Sequence, residues 1–175
     1  GGANLKVVQM FNDIKAHVTD WSDQDAVYQY LLRILAGEAG DHSGLIYGMG
    51  HAIYTLSDPR AVSLKAAARP LAEKKGYLDE FNLIETVERL TPAAFAESRG
   101  MDSKVMCANV DLYSGLVYKM LGIPQEMFTP LFATARIVGW IAHRMEEVAF
   151  GGRIIRPAYK ALSKSAPYIP IDERG

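Results

Sequence analysis

The sequence predicts an all-α protein built from several helices, with no significant sheet. Apolar residues recur every three or four positions, the spacing of one helix face, as in the run Val8, Phe11, Ile14 and Val18. Glycine and proline separate the periodic segments, as helix ends require. No stretch alternates apolar and polar residues in the way a half-buried strand does.

Each predicted helix has its own boundary residues. The first covers residues 5–18, and the second begins at 20–23 and ends at Gly37. A third begins at Pro59 and ends at Gly76, with Pro70 expected to kink or divide it. Two further helices, 79–90 and 92–99, are separated before Pro92, and Gly100 closes the second.

The C-terminal part begins with a helix over 110–121 that Asn109 can cap. After Gly122 and Pro124 the helical pattern restarts and runs to about residue 150. The remaining tail, 153–175, contains three prolines and is expected to be mostly extended.

Composition narrows the class of protein. The chain has 175 residues, of which 49% are hydrophobic and 22% charged, as in one globular domain or a domain with an appendage. A net charge of −1 argues against binding of nucleic acid or an anionic membrane. The single cysteine, Cys107, and the absence of Cys and His at metal-ligand spacing predict a cytoplasmic protein without a metal site. The weakly charged run 127–142 is too short to span a membrane, and we find no signal peptide.

One loop combines a histidine with an unusually placed arginine. Gly48 and Gly50 precede His51, so the backbone there can adopt positive φ and approach a bound molecule closely. Asp58 is predicted to cap the next helix, with Pro59 in its first position and Arg60 in its first turn. A cation there opposes the helix dipole unless an anion is nearby. The alternative is a solvated arginine after an ordinary loop.

Three further charged residues are not explained by periodicity. Asp111 falls in the first turn of its helix, where it either acts chemically or simply stabilises the helix. Arg136 is the only formal charge between Glu126 and Arg144 in an apolar segment, so we expect a buried guanidinium paired with an internal acid or an anionic ligand. Arg156 follows two glycines and is expected to reach a partner subunit or only solvent.

Two segments of the chain resemble the C-terminal active-site motifs of citrate synthases. They are Gly48-Met49-Gly50-His51 with Asp58-Pro59-Arg60, and Asn109-Val110-Asp111-Leu112-Tyr113-Ser114-Gly115. Residues 128–136, 139–143 and 153–157 are also similar to the family, so the resemblance covers nearly the whole chain. It implies the C-terminal portion of such an enzyme, with the upstream half outside this chain. Residues 1–120 would form the mobile, CoA-binding small domain, and 121–175 the C-terminal helix and extended tail of the large domain.

The resemblance also implies roles for individual residues. Asp111 would be the base that removes a methyl proton from acetyl-CoA, and His51 would donate a hydrogen bond to the carbonyl oxygen of oxaloacetate. Arg60, Arg136 and Arg156 would bind the substrate carboxylates, with Arg156 reaching across a homodimer interface.

The binding of CoA would fall to a loop and one lysine. Lys104 would meet a CoA phosphate, and the loop would contact the adenine end through Leu45, Ile46, Tyr47, Gly48, Met49 and Gly50. CoA is a substrate in this scheme, and no tightly bound cofactor and no metal are expected.

The implied activity is condensation of acetyl-CoA with oxaloacetate to citrate and CoA, the entry step of the tricarboxylic acid cycle. In the family the enolate is stabilised by a histidine that would directly precede Gly1, so we expect this chain alone to be inactive. One alternative is 2-methylcitrate synthase, which uses propionyl-CoA. The other is a non-catalytic helical module that binds CoA or dicarboxylates.

Overall fold

The computed structural model describes residues 2–100, 106–151 and 169–174, and over these ranges the protein is all-α, as predicted. No strand occurs in the described ranges, and the one isolated β-bridge joins Met49 to Ala108. The helices are α1 (Ala3–His17), α2 (Gln24–Leu35), α3 (Pro59–Lys75), α4 (Leu78–Arg99), α5 (Asp111–Met120) and α6 (Phe128–Phe150). Short 3-10 helices cover Gln125–Met127 and Ile171–Glu173.

Side-chain caps define three of the helix starts. Asp23 accepts hydrogen bonds from the backbone N–H groups of Asp25 and Ala26 at 3.0 and 3.1 Å. Asp58 accepts one from the Arg60 N–H at 3.0 Å, which confirms the predicted start of α3. The Asn109 side chain likewise accepts from the Asp111 N–H at 2.9 Å. These caps satisfy N–H groups that have no partner within the helix.

Both internal prolines lie within continuous helices, and the prediction that α4 is divided before Pro92 was wrong. Pro70 likewise does not divide α3. A proline inside a helix removes one backbone hydrogen bond and costs about 3 kcal/mol. Val87 and Ala94 are fully buried on either side of Pro92, so tertiary packing holds the two segments in one helix.

Helix α5 lies at the centre of the packing. It contacts α1, α3 and α4, and its residues Leu112 and Tyr113 are fully buried. Helix α1 packs closely against Gly115, where a Cβ atom would lie 2.5 Å from Cγ2 of Val8. This central packing fixes the position of Asp111, the first residue of α5.

The chain divides into two compact units, Gly1–Ile137 and Val138–Gly175. The part of α6 that belongs to the second unit exposes large apolar side chains, namely Val138, Trp140, Ile141, Met145, Val148 and Phe150. Within the described ranges, no helix combines the length and the apolar character that crossing a membrane requires. Most of the tail predicted to be extended lies outside the described residues. The predicted boundary after residue 120 refers to the domains of longer proteins and stays a prediction.

Candidate functional site

The loop that carries His51 is held against the start of α5. Gly48 and Gly50 have φ of 85° and 88°, which confirms the predicted need for glycine. A Cβ atom on Gly48 would lie 2.8 Å from the Cα of Leu112, so the backbone there closely approaches α5 itself. At Gly48, therefore, the close neighbour of the backbone is helix α5 and not the ligand that we expected.

Hydrogen bonds join the loop to the residues that precede α5. The Gly50 N–H donates to the Cys107 carbonyl at 2.7 Å, and the Asn109 N–H donates to the Gly48 carbonyl at 2.9 Å. The Asn109 side-chain amide also donates to the Gly50 carbonyl at 2.9 Å. Two segments some sixty residues apart in sequence thus bring His51 and Asp111 to one region.

Backbone groups orient the His51 ring. Its Nδ1 atom accepts hydrogen bonds from the N–H groups of Ile53 and Tyr54 at 3.0 and 3.2 Å. A ring nitrogen that accepts carries no proton, so the proton of the neutral ring is on Nε2. The ring also packs on Tyr54, with 4.8 Å between the centroids. His51 is therefore arranged to donate a hydrogen bond through Nε2.

Arg60 is held by a carboxylate from its own helix start. Its Nε and Nη2 atoms donate to the two oxygens of Asp58 at 3.0 and 2.8 Å. This hydrogen bonding holds the pKa of Asp58 below its usual value. The anion that offsets a cation at this helix end is thus Asp58, whereas the resemblance assigned that part to a substrate. The Arg60 side chain remains 52% exposed, so it can still meet a ligand.

Arg60 and His51 converge at their outer nitrogens. The Nη2 atom of Arg60 lies 3.2 Å from Nε2 of His51. In the tautomer with the proton on Nε2, both atoms are donors. Two adjacent N–H groups of this kind suit a molecule that presents acceptor oxygens to both.

Asp111 is a half-buried carboxylate at the N-terminus of α5. Burial raises the pKa of Asp111, while the positive charge of Arg60 acts in the opposite direction. A carboxylate with a raised pKa is a stronger base than an exposed one. Asp111 and Arg60 influence each other electrostatically, so this carboxylate lies in the same charged environment as the two convergent donors.

Arg136 is exposed, and the prediction that its guanidinium is buried was wrong. Its guanidinium lies over the ring of Phe132 at 5.1 Å from the centroid. The neighbouring residues of α6 are also exposed, so the apolar sequence around Arg136 does not form a core there. Among the described residues, no hydrogen bond or ion pair links Arg136 to His51, Arg60 or Asp111. Arg156 lies outside the described residues.

The predicted CoA-binding loop presents only part of itself to solvent. Leu45 is 50% exposed, whereas Ile46 and Met49 are buried in the core, so these two can offer a ligand only their backbone. Tyr47 donates its hydroxyl proton to Asp41 at 2.7 Å. Lys104 lies outside the described residues.

Sequence reasoning treated Asn109 and Asp58 only as helix caps. The structure shows that each also contacts a second group of the site, the Gly50 carbonyl and the Arg60 guanidinium respectively. The sequence offers one indication of this, because each precedes a candidate functional residue, Asp111 or Arg60, by two positions.

One cavity of the molecule lies apart from His51, Arg60 and Asp111. A cavity of about 450 Å³ opens between α1, α4 and α5 and is lined by Val8, Leu83, Leu116 and Phe128, among others, without including His51, Arg60 or Asp111. In the ranges that the structure covers, no three His, Cys, Asp or Glu residues are grouped to hold a metal ion.

Comparison with known proteins gives consistent matches over nearly the whole chain. Residues 1–158 match the family described as citrate synthase, C-terminal domain. The chain is 37% identical to a citrate synthase of Acidithiobacillus ferridurans over 99% of its own length and 41% of the relative. It is 34% identical to a citrate synthase of Synechocystis sp., again over 99% of its length and 39% of the relative.

Solved structures give the same result. Citrate synthase from Thermotoga maritima matches with a TM-score of 0.68 and 35% identity, over 100% of this chain and 43% of that one. The ternary complex of carboxymethyl coenzyme A and oxaloacetate with citrate synthase from Thermoplasma acidophilum matches with a TM-score of 0.71 and 30% identity, over 99% and 42%. The chain therefore spans well under half the length of these relatives.

Proposed function

Since this chain belongs to the citrate synthase family, we propose that it supplies the C-terminal part of an enzyme that condenses acetyl-CoA with oxaloacetate. The products would be citrate and CoA, and the reaction would be the entry step of the tricarboxylic acid cycle. The related Thermoplasma acidophilum enzyme binds oxaloacetate and a CoA analogue in its ternary complex. The activity needs more than this chain, because the relatives are more than twice as long.

The observation that carries the proposal is the pair of convergent donors, His51 Nε2 and Arg60 Nη2, 3.2 Å apart. Oxaloacetate is a 2-oxo acid, so its reacting carbonyl oxygen lies beside a carboxylate. Arg60 would bind that carboxylate while His51 donates to the carbonyl oxygen, where negative charge develops as the new bond forms. This arrangement makes the carbonyl carbon more electrophilic.

Asp111 would act on the other substrate. Its half-buried carboxylate, with a raised pKa, would take a proton from the methyl group of acetyl-CoA. A thioester α-proton is too weak an acid for a carboxylate alone, so the enolate oxygen also needs a preorganised donor. The family resemblance assigns that donor to a histidine upstream of this chain. We therefore propose that the 175-residue chain alone turns over negligibly.

Release of CoA tests the proposal directly. The complete enzyme, meaning this chain preceded by the upstream residues that its relatives carry, should release CoA from acetyl-CoA only when oxaloacetate is present. The isolated chain should release none above background. Faster turnover with propionyl-CoA would instead identify a 2-methylcitrate synthase. Absence of turnover with both thioesters, together with retained CoA binding, would identify a non-catalytic module.

The location and assembly of the complete enzyme also follow from the resemblance. We propose a cytoplasmic homodimer in which Arg136 and Arg156 complete the carboxylate site, and in which Lys104 and the loop from Leu45 to Gly50 bind CoA. Sedimentation of the complete enzyme tests the dimer, and a monomer that is fully active would contradict it.

A further inference from the structure

Asn109 connects the two parts of the site through both ends of its side chain. Its amide nitrogen donates to the Gly50 carbonyl at 2.9 Å, and its amide oxygen accepts from the Asp111 N–H at 2.9 Å. Its own backbone N–H donates to the Gly48 carbonyl, also at 2.9 Å. One residue therefore spans the loop that carries His51 and the helix that begins with Asp111.

The bond to Gly50 acts at a flexible point of the backbone. The Gly50 carbonyl belongs to the peptide unit that leads directly into His51, and Gly50 has a φ of 88°. Glycine tolerates many backbone conformations, so the orientation of this peptide unit is weakly fixed by local sterics. A side-chain donor on the carbonyl therefore restricts where the His51 ring can point.

Other contacts hold the loop in place without reaching the Gly50 carbonyl. The Gly50 N–H donates to the Cys107 carbonyl at 2.7 Å, and Gly48 packs on Leu112. Neither contact involves the Asn109 side chain. A substitution of Asn109 that keeps the helix cap should therefore leave the fold intact and change mainly the placement of His51 relative to Asp111.

We propose that Asn109 is a positioning residue for the condensation, which sets the geometry between the donor His51 and the base Asp111. This inference rests on the proposed function. Bond formation requires the two activated carbons to meet at close range, and a misplacement of 1 Å costs about 100-fold in rate. Binding of oxaloacetate would rest mainly on its carboxylate ligand Arg60, which Asp58 holds and Asn109 does not contact.

The test uses Asn109→Ser and Asn109→Ala in the complete enzyme. Serine can still cap α5 by accepting from the Asp111 N–H, but it is too short to hold the Gly50 carbonyl as well. We expect Asn109→Ser to lower kcat by about 10- to 100-fold while leaving the melting temperature and the Kd for oxaloacetate nearly unchanged. Asn109→Ala should lower kcat equally and should also lower the melting temperature, because the helix cap is lost.

Asp23→Ala is the matched control, because it removes an equivalent cap from α2, whose residues take no part in the site. It should lower stability and leave kcat unchanged. Wild-type kcat in Asn109→Ser would overturn the inference. So would a fall in kcat matched by an equal loss of oxaloacetate binding.

Amide hydrogen exchange separates this inference from the proposed function. If the wild-type enzyme releases no CoA, the proposed function fails, and the exchange rates of the loop residues still report on Asn109. Exchange at residues 50–54 should become several-fold faster in Asn109→Ser than in the wild type. Unchanged exchange there would show that Asn109 does not hold the loop.

Discussion

Asp58 and Arg60 form a charged pair in which the carboxylate is fully buried and the guanidinium is half exposed. The pairing uses the Nε edge and one terminal nitrogen of Arg60, so the guanidinium is held in one orientation with respect to His51. A planar guanidinium can meet Asp58 and an incoming carboxylate at once, whereas the single ammonium group of lysine cannot do so with the same geometry.

Replacing Arg60 with lysine tests that geometry. In the complete enzyme, Arg60→Lys should weaken oxaloacetate binding by about 10- to 100-fold, because a charge-assisted hydrogen bond contributes about 1.5–3 kcal/mol. Isothermal titration calorimetry measures this affinity. Arg69→Lys is the control on the same helix, since Arg69 pairs with Glu85 and takes no part in the site. Equal affinities in the two variants would exclude Arg60 as a carboxylate ligand.

The Asp111 carboxylate should be needed for the proposed reaction but should lower the stability of the fold. Its pKa is raised by burial, so the folded state binds this proton more tightly than the unfolded chain does, and ionisation at neutral pH destabilises the fold. Asp111→Asn removes that charge and should raise the melting temperature at pH 7, with a smaller gain at pH 4. Thermal unfolding at the two pH values measures the difference. A lower melting temperature at pH 7 would indicate that the carboxylate stabilises α5.

At the scale of elements, the crossing of α1 over α5 determines where Asp111 lies. The helices approach closely because Gly115 has no side chain, and a Cβ atom there would lie 2.5 Å from Val8 Cγ2. Valine in a helix has essentially one rotamer, so it cannot easily move aside. Adding one methyl group at Gly115 should therefore disturb the packing of α1 on α5.

Gly115→Ala should lower the free energy of unfolding by about 1–3 kcal/mol, the usual cost of overpacking. Gly139→Ala is the matched control, because Gly139 is also helical and a Cβ atom there meets nothing within 4 Å. It should be neutral or stabilising by up to about 1 kcal/mol. Urea denaturation measures both. The double variant Gly115→Ala with Val8→Ala should recover part of the loss, and no recovery would contradict the proposed steric cause.

The prolines show why the sequence predicted where helices begin better than it predicted where they end. Periodicity and turn residues predict the start of α2 within 20–23, and predicted caps place the starts of α3 and α5 after Asp58 and Asn109, because these signals depend on residues a few positions apart. Whether Pro92 ends a helix depends on burial of Val87 and Ala94 against other elements, which local sequence does not reveal. Arg136 was misjudged for a similar reason, because an apolar neighbourhood in sequence need not be buried.

On the scale of the whole molecule, ion pairs tie separate helices together. Glu80 on α4 pairs with Lys15 on α1 at 2.9 Å and with Lys119 on α5 at 2.6 Å. Burial acts to raise the pKa of Glu80, but the two lysines outweigh it and lower the pKa. The pKa values of Asp58 and Asp41 are lowered as well, by hydrogen bonds from Arg60 and from Ser43, Tyr47 and Lys6.

These lowered pKa values predict acid instability. Each of the three carboxyls binds protons more tightly in the unfolded chain, so its stabilising contribution is complete above about pH 4.3, the unperturbed glutamate value, and is lost as the pH falls. Urea denaturation between pH 6 and pH 2.5 should show decreasing stability. Glu80→Gln should flatten part of this slope. An unchanged slope would show that the pairs of Glu80 contribute nothing to it.

The sequence predicted the residues that converge in the site, but not how they are held. The need for glycine around His51 and the caps before Arg60 and Asp111 could be predicted from the sequence, because each depends on local backbone geometry. The contacts of Asn109 with Gly50 and of His51 with Arg60 depend on tertiary structure, and only the family resemblance implied a shared site. The apolar residues of α6 are exposed, as we expect of a chain that covers only about 40% of the length of its relatives.

The central claim is that Asp111 is the base and that oxaloacetate is held by other residues. Asp111→Asn in the complete enzyme, with CoA release and oxaloacetate affinity measured on the same preparation, tests it most directly. We predict that release from acetyl-CoA falls by at least about 100-fold, the lower range for loss of a general base, while the Kd for oxaloacetate changes less than about threefold. Retained turnover, or loss of oxaloacetate binding in parallel with turnover, would contradict the claim.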